Sequence, residues 1–131
     1  MISTKGRYAL RVMLDLAAHP SDVPIPLKDI AERQDISKKY LEIIVKDLVS
    51  HKLVKGTSGK GGGYALCRAP EDYSLGEILE AAEGGFSTVA CLSPDAEICP
   101  RAASCKTLPL WQEYSEVIHS FFYHKKLTDL L

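Results

Sequence analysis

No stretch of the 131 residues approaches the roughly 18–20 consecutive apolar residues of a membrane span, so no membrane role is expected. The start, Met1-Ile2-Ser3-Thr4-Lys5-Gly6-Arg7, lacks the apolar core and the small-residue cleavage site of a secretory signal. The expectation is a cytoplasmic protein whose thiols stay reduced. Neither sign of charge prevails, since 16 Lys and Arg face 17 Asp and Glu. There is no internal repeat and no low-complexity segment. The one glycine-rich stretch fails as a phosphate-binding loop. Gly59-Lys60 has Val54 where that motif needs its first glycine, and Gly61 where it needs Ser or Thr. No two cysteines form the close Cys-x-x-Cys pair common in zinc sites. No histidine lies near the cysteines in sequence, and no acid–base pair or nucleophile constellation stands out, so an enzyme is not expected.

What is present becomes informative once the chain is divided. Residues 1–68 carry twelve Lys and Arg against seven Asp and Glu, whereas residues 69–131 carry four against ten. Only the first half is suited to meet a polyanion.

Apolar residues Tyr8, Leu10, Val12, Met13, Leu14, Leu16 and Ala17 predict a largely buried helix over 4–18, ended by His19-Pro20-Ser21-Asp22. Leu27, Ile30 and Ala31 predict a short helix to about Gln34, and Asp35-Ile36 a tight turn. Ser37 is the expected N-cap of a helix over 38–51, with Leu41, Ile44, Val45, Leu48 and Val49 as its buried stripe. Two helices joined by a short turn, with cations opening the second, form a helix-turn-helix pattern. Strands at 53–56 and 64–67 around the glycine-rich turn then read as a wing. Ser74-Leu75-Gly76-Glu77 is a capping box opening a helix to Glu83, stopped by Gly84-Gly85. A final helix over 107–124 places Trp111, Tyr114, Ile118, Phe121 and Phe122 on one expected face, more aromatic area than a short chain buries alone. A symmetric helix–helix dimer is therefore expected, with packing inside the chain as the alternative. His119 and His124 read as surface or interface residues of that helix.

The fold class is thus mainly α with a small β wing. Residues 1–85 are expected to form a winged helix-turn-helix DNA-binding domain, residues 86–106 a cysteine-containing sensor loop, and residues 107–131 a dimerisation helix with a C-terminal segment. The recognition helix starts at Ser37, Lys38, Lys39 and Tyr40, where residues face base edges. Lys38 and Lys39 are expected on phosphates and Tyr40 on a sugar or thymine methyl. Glu42, anomalous beside phosphate, is suited to accept from a cytosine amino group. Lys5 and Arg7 on the first helix, and Ser58, Gly59, Lys60 and Gly61 in the wing, would grip the backbone or minor groove.

Three of the four cysteines, Cys91, Cys99 and Cys105, fall within fifteen residues, with seven and then five residues between them. Pro94 and Pro100 keep that stretch irregular. Thiolate metal ligation, metal-free redox sensing, structural zinc and inert thiols all remain open on the residues alone.

Ser3-Thr4-Lys5-Gly6-Arg7-Tyr8-Ala9-Leu10, Lys39-Tyr40-Leu41-Glu42, Gly61-Gly62-Gly63-Tyr64 and the three cysteines ahead of Trp111 resemble the Rrf-type repressors. That family includes an iron–sulfur cluster regulator, a nitric-oxide sensor and a regulator of cysteine metabolism. The resemblance runs in order from Ser3 to about Leu131. It implies a homodimeric winged-helix transcription factor, a repressor on double-stranded, pseudo-palindromic operator DNA. It also implies an iron–sulfur cluster on Cys91, Cys99 and Cys105, with 2Fe–2S preferred to 4Fe–4S. The alternative is a cluster-free regulator that responds to thiol redox state or to a biosynthetic-enzyme partner. The fourth ligand is where the chain departs. The family's iron–sulfur regulators have a histidine at the position of Leu108, and its nitric-oxide sensors an aspartate at that of Tyr8. Cys67, Glu97, Glu113, a partner-subunit residue or a small exogenous ligand are the remaining candidates, although Cys67 also reads as a small buried strand residue.

Overall fold

The computed structural model describes residues 2–131; residue 1, where the expected DNA-binding domain begins, lies outside the described residues. Ser3 is in extended backbone and its hydroxyl accepts the Gly6 N–H at 3.2 Å, which opens α1 (Thr4–Ala18). Ala9, Val12, Met13 and Leu16 fall on one face of α1 and are buried. After Pro26, α2 (Leu27–Gln34) ends at Asp35, which takes the left-handed conformation at φ 52°. A short polar side chain tolerates that backbone better than a branched one. Ser37 then caps α3 (Lys38–Ser50), its hydroxyl accepting the Tyr40 N–H at 3.1 Å.

Leu41, Ile44, Val45 and Leu48 of α3 are buried as the periodicity predicts, but Val49 is exposed. Val49 follows Leu48 by one residue, a step that turns it off the stripe toward the outside. The hairpin pairs β1 (Val54–Thr57) antiparallel with β2 (Gly63–Leu66), and both strands are shifted by one residue from the expected limits. The register sets Val54 opposite Leu66 and Thr57 opposite Gly63. Ile25 adds a further rung, exchanging two backbone hydrogen bonds of 2.8 Å with Tyr64. The wing is therefore anchored to the segment that leads into α2.

The capping box at Ser74 and Glu77 opens α4 (Leu75–Glu83), which Gly84 closes. After the cysteine segment, α5 (Leu108–Tyr123) begins with Pro109 in its first turn. The C-terminal segment folds back. Leu75 N–H donates to Lys125 O at 2.9 Å and Leu127 N–H to Tyr73 O at 3.0 Å, and the Leu127 side chain is fully buried. One core, built from α1 to α4, the foot of the wing and Leu127, holds the helix-turn-helix in place.

The aromatic residues of α5 do not share one face. Leu110, Tyr114, Val117 and Phe121 form an exposed stripe at intervals of four, three and four residues. Ile118 and Phe122 are half-buried, and Trp111 lies near their face. Phe122 packs on Phe86 with ring centroids 5.5 Å apart. A helix advances about 100° per residue, so the two sets occupy adjacent faces. No helix among the described residues is long and apolar enough to cross a membrane.

Candidate nucleic-acid interface and cysteine site

Lys38 and Glu42 of α3, Lys28 of α2, and Thr57, Ser58 and Gly62 of the hairpin line one groove of about 570 Å³. Three separate elements thus face one concave surface. The start of α3 lies there because Asp35 turns the chain and Ser37 caps the helix; the wing lies there because Tyr64 is bonded to Ile25. Lys39, Glu42, Ser58, Gly59, Lys60 and Gly61 are all exposed, and Gly59 and Gly61 hold φ values of 86° and 78° at the wing tip. Glycine meets that requirement without strain.

Other predicted contacts are already engaged. Ser37 spends its hydroxyl on the cap. Tyr40 is half-buried, its ring edge-on to Tyr8 at 5.7 Å. Lys5 forms an ion pair with Asp47 on α3, so it links the first helix to the recognition helix. Arg7 is exposed and donates from Nη2 to Thr4 Oγ1 at 3.0 Å.

Sequence reasoning missed three residues. Lys28 stands in the groove beside Lys38, and its only advance signal was a cation in the first turn of α2. Asp15 is buried and accepts from Arg33 Nη2 at 2.7 Å, Arg33 Nε at 3.0 Å and Gln34 Nε2 at 2.9 Å. This clamp fastens α1 to the end of α2, directly before the turn. Burial pushes the Asp15 carboxyl up, but the hydrogen bonds from Arg33 and Gln34 and the Arg33 charge outweigh it and hold the carboxyl below its ordinary range. Tyr73, fully buried, donates to Leu53 O at 2.6 Å and accepts the N–H of Cys67 at 2.9 Å and of Arg68 at 3.0 Å. It ties both feet of the wing to the core.

Cys91, Cys99 and Cys105 line a single cavity of about 240 Å³, together with Glu97, Ile98, Leu108 and Gln112. The segment is pinned to α5 just ahead of them. His119 donates to Phe86 O at 2.5 Å and stacks on the Phe86 ring at 4.9 Å, and Thr88 is bonded to Ser115. His119 therefore packs within the chain. Cys91 and Cys99 are exposed and Cys105 is half-buried. Hydrogen bonds from Thr107, first its hydroxyl and then its amide, pull the Cys105 thiol below the ordinary cysteine value.

The donors suit an iron–sulfur cluster at three of four positions. Among the described residues, however, no three His, Cys, Asp or Glu side chains converge as a metal site. Leu108, where the resemblance implies a histidine in iron–sulfur regulators, lines the cavity with an apolar side chain. Glu97 shares the cavity; Glu113 does not line it. Cys67, one residue past the end of β2, is exposed at the foot of the wing rather than buried.

The Rrf2 family, described as iron-dependent transcriptional regulators, matches residues 2–131. The chain belongs to the Rrf2 family. This Rrf2 regulator is 36% identical over 130 residues to the protein rrf2 of Nitratidesulfovibrio vulgaris, covering 99% of this chain and 86% of that one. It is 37% identical to the transcriptional regulator IscR of Yersinia enterocolitica, covering 99% and 78%. Among solved structures it superposes on CymR, the global cysteine regulator of B. subtilis, with a TM-score of 0.76, 35% identity and coverage of 99% and 95%. T. potens IscR gives a TM-score of 0.73 at 33% identity, covering 99% and 85%. The winged helix is the fold of these regulators, and the chain is an Rrf2 transcriptional regulator with a DNA-binding fold, not an enzyme.

Proposed function

We propose that this Rrf2 regulator is a homodimeric repressor that reads a pseudo-palindromic operator, and that the state of Cys91, Cys99 and Cys105 sets its DNA affinity. The groove shared by α2, α3 and the wing carries the reading. Lys38 and Lys28 neutralise phosphates there, the exposed Lys39 does so beside the groove, Glu42 accepts from a base edge, and Lys60 with its flanking Ser58, Gly59 and Gly61 follows the backbone. The exposed Arg7 extends the contact along α1, while Lys5, paired with Asp47, holds α3 in place beside it. The exposed stripe Leu110, Tyr114, Val117 and Phe121 is the dimer face, because its four-three-four spacing suits a helix packed on its symmetry mate.

Cys91, Cys99 and Cys105 would hold an iron–sulfur cluster, 2Fe–2S in preference to 4Fe–4S, with Glu97 as the carboxylate in the same cavity. When bound, the cluster supplies an electron-transfer couple whose loss or oxidation reports on the cell. The protein's part is to gather three thiols beside α5, lower the Cys105 thiol through Thr107, and leave the site open to solvent. A cluster-free thiol switch is the second reading. The lowered Cys105 favours it, as does likeness to S. aureus CymR in its oxidised form (TM-score 0.72, 32% identity). A biosynthetic-enzyme partner has no support in this geometry. A regulator of transcription that meets DNA is expected in the cytoplasm.

The test is anaerobic purification with iron and sulfide analysis, followed by footprinting on DNA from the chain's own promoter. Stoichiometric iron and sulfide favour the cluster; iron-free protein with redox-dependent binding favours the thiol switch. The Lys38→Ala, Lys39→Ala double variant should bind the protected DNA more weakly and with a salt slope shallower by about 2. Unchanged affinity and slope would refute the groove assignment.

A further inference from the structure

The first turn of α1 opposes its own electrostatics. A helix N-terminus favours anions and disfavours cations, yet this turn carries Lys5 and Arg7 and no acidic residue. The missing carboxylate comes from another helix. Glu83, the last residue of α4, accepts both the N–H and the hydroxyl of Ser3 on Oε1, each at 2.9 Å. Ser3 is the cap of α1, and its hydroxyl in turn accepts the Gly6 N–H at 3.2 Å. The carboxylate lies so close to α1 that a Cβ at residue 6 would overlap it and displace its tip. On one side of Glu83, Gly84 and Gly85 lead straight into the cysteine segment. On the other, one residue past the exposed Thr4, Lys5 forms its ion pair with Asp47 of the recognition helix.

We propose that Glu83 is a positioning residue for DNA recognition: it ties the cysteine loop, through the cap of α1 and the Lys5–Asp47 pair, to the recognition helix. The proposal rests on the reading that the cysteine loop senses and that α1 and α3 meet DNA. A rearrangement of the loop that twists the last turn of α4 withdraws the carboxylate. The cap then opens, and Lys5 and α3 lose the contact that holds them in register. Because the coupling is a free energy shared by both sites, DNA binding in turn stabilises the loop state that keeps Glu83 on Ser3.

The experiment uses the full chain carrying Cys67→Ser, so that N-ethylmaleimide reaches only Cys91, Cys99 and Cys105. Two quantities are measured before and after alkylation: amide hydrogen exchange over residues 3–8, and affinity for the footprinted promoter fragment. With Glu83 present, alkylation should speed exchange over residues 3–8 roughly fivefold, the scale of a lost helix cap. It should also change DNA affinity about fivefold or more. With Glu83→Ala, exchange should be fast from the start and neither quantity should respond to alkylation. Glu83→Gln, which keeps one acceptor oxygen, should restore part of the response. A merely structural role would weaken DNA binding equally in both thiol states and leave the alkylation ratio intact, and that result overturns the proposal. Unaltered exchange over residues 3–8 after alkylation of the Glu83 protein overturns it as well. If Glu83→Ala loses its cooperative melt, Glu83→Gln and Ser3→Ala carry the same comparison. Failure to bind the fragment in either state defeats the DNA reading, while the exchange measurement still decides the relay.

Discussion

Replacing Asp15 with Asn tests whether the helix-turn-helix is held from behind. The Asp15 side chain is fully buried, and its oxygens accept three hydrogen bonds of 2.7–3.0 Å from Arg33 and Gln34. Asn keeps the volume and one oxygen but presents an amide donor to the guanidinium fork. Breaking a buried ion pair costs about 3–5 kcal/mol when the orphaned charge stays buried. Here the Arg33 side chain is 34% exposed, so water solvates the freed guanidinium. The expected loss is therefore about 2–3 kcal/mol. For a chain of this size that lowers the melting temperature by roughly 6–12 °C. The assay is thermal unfolding of both proteins at neutral pH and at decreasing pH. The folded Asp15 carboxyl sits below its unfolded value, so its contribution is fully present above the unfolded value and lost as pH falls through the folded one. The gap between wild type and Asp15→Asn should accordingly close in acid. A variant that melts within about 1 °C of wild type at neutral pH would refute the clamp as a source of stability.

Other expectations follow from single contacts. Tyr73→Phe removes the hydroxyl that joins Leu53, Cys67 and Arg68; urea unfolding should show a loss of about 2 kcal/mol, and no change would mean that water replaces the hydroxyl without penalty. Burial raises the Tyr73 phenol above its ordinary value, so its contribution is complete below the unfolded value near pH 10 and falls as pH rises through the folded one; the difference between the two proteins should shrink above about pH 10. Gly63→Ala places a Cβ on the Ile25 carbonyl at a φ of 156°, so the wing must part from the segment before α2. Limited proteolysis should then cut within residues 57–63 far faster than in wild type, and an equally resistant hairpin contradicts this. Val117→Glu puts a charge on the exposed stripe of α5 and should yield a folded monomer by sedimentation, with monomer stability altered by no more than about 0.5 kcal/mol. A persistent dimer would exclude that face as the interface.

Periodicity, caps and glycines were sufficient for most of the elements. The turn at Asp35, the cap at Ser37 and the capping box at Ser74 lie where their local chemistry puts them, because each is settled by hydrogen bonds within a few residues. The partition of α5 was not legible in the same way. Its apolar residues cover two adjacent faces, and only the position of Phe86 decides that Phe122 turns inward while Phe121 stays out. Val49 and Cys67 were misplaced for a related reason, since burial at the margin of a stripe or just past the end of a strand depends on what packs there.

The amino-acid sequence by itself determined the helix-turn-helix, the glycine-rich wing, the basic first half and the close spacing of three cysteines. These are local properties, carried by backbone preference and composition. Tertiary structure alone decided that Lys28 joins Lys38 and Glu42 in one groove, that three thiols surround one cavity without converging, and that Asp15 and Glu83 each reach across to another helix. Asp15 lies 18 residues from Arg33, and Glu83 lies 80 residues from Ser3. Such pairings have no sequence period, because they exist only once burial of the shared core has brought α1, α2 and α4 together.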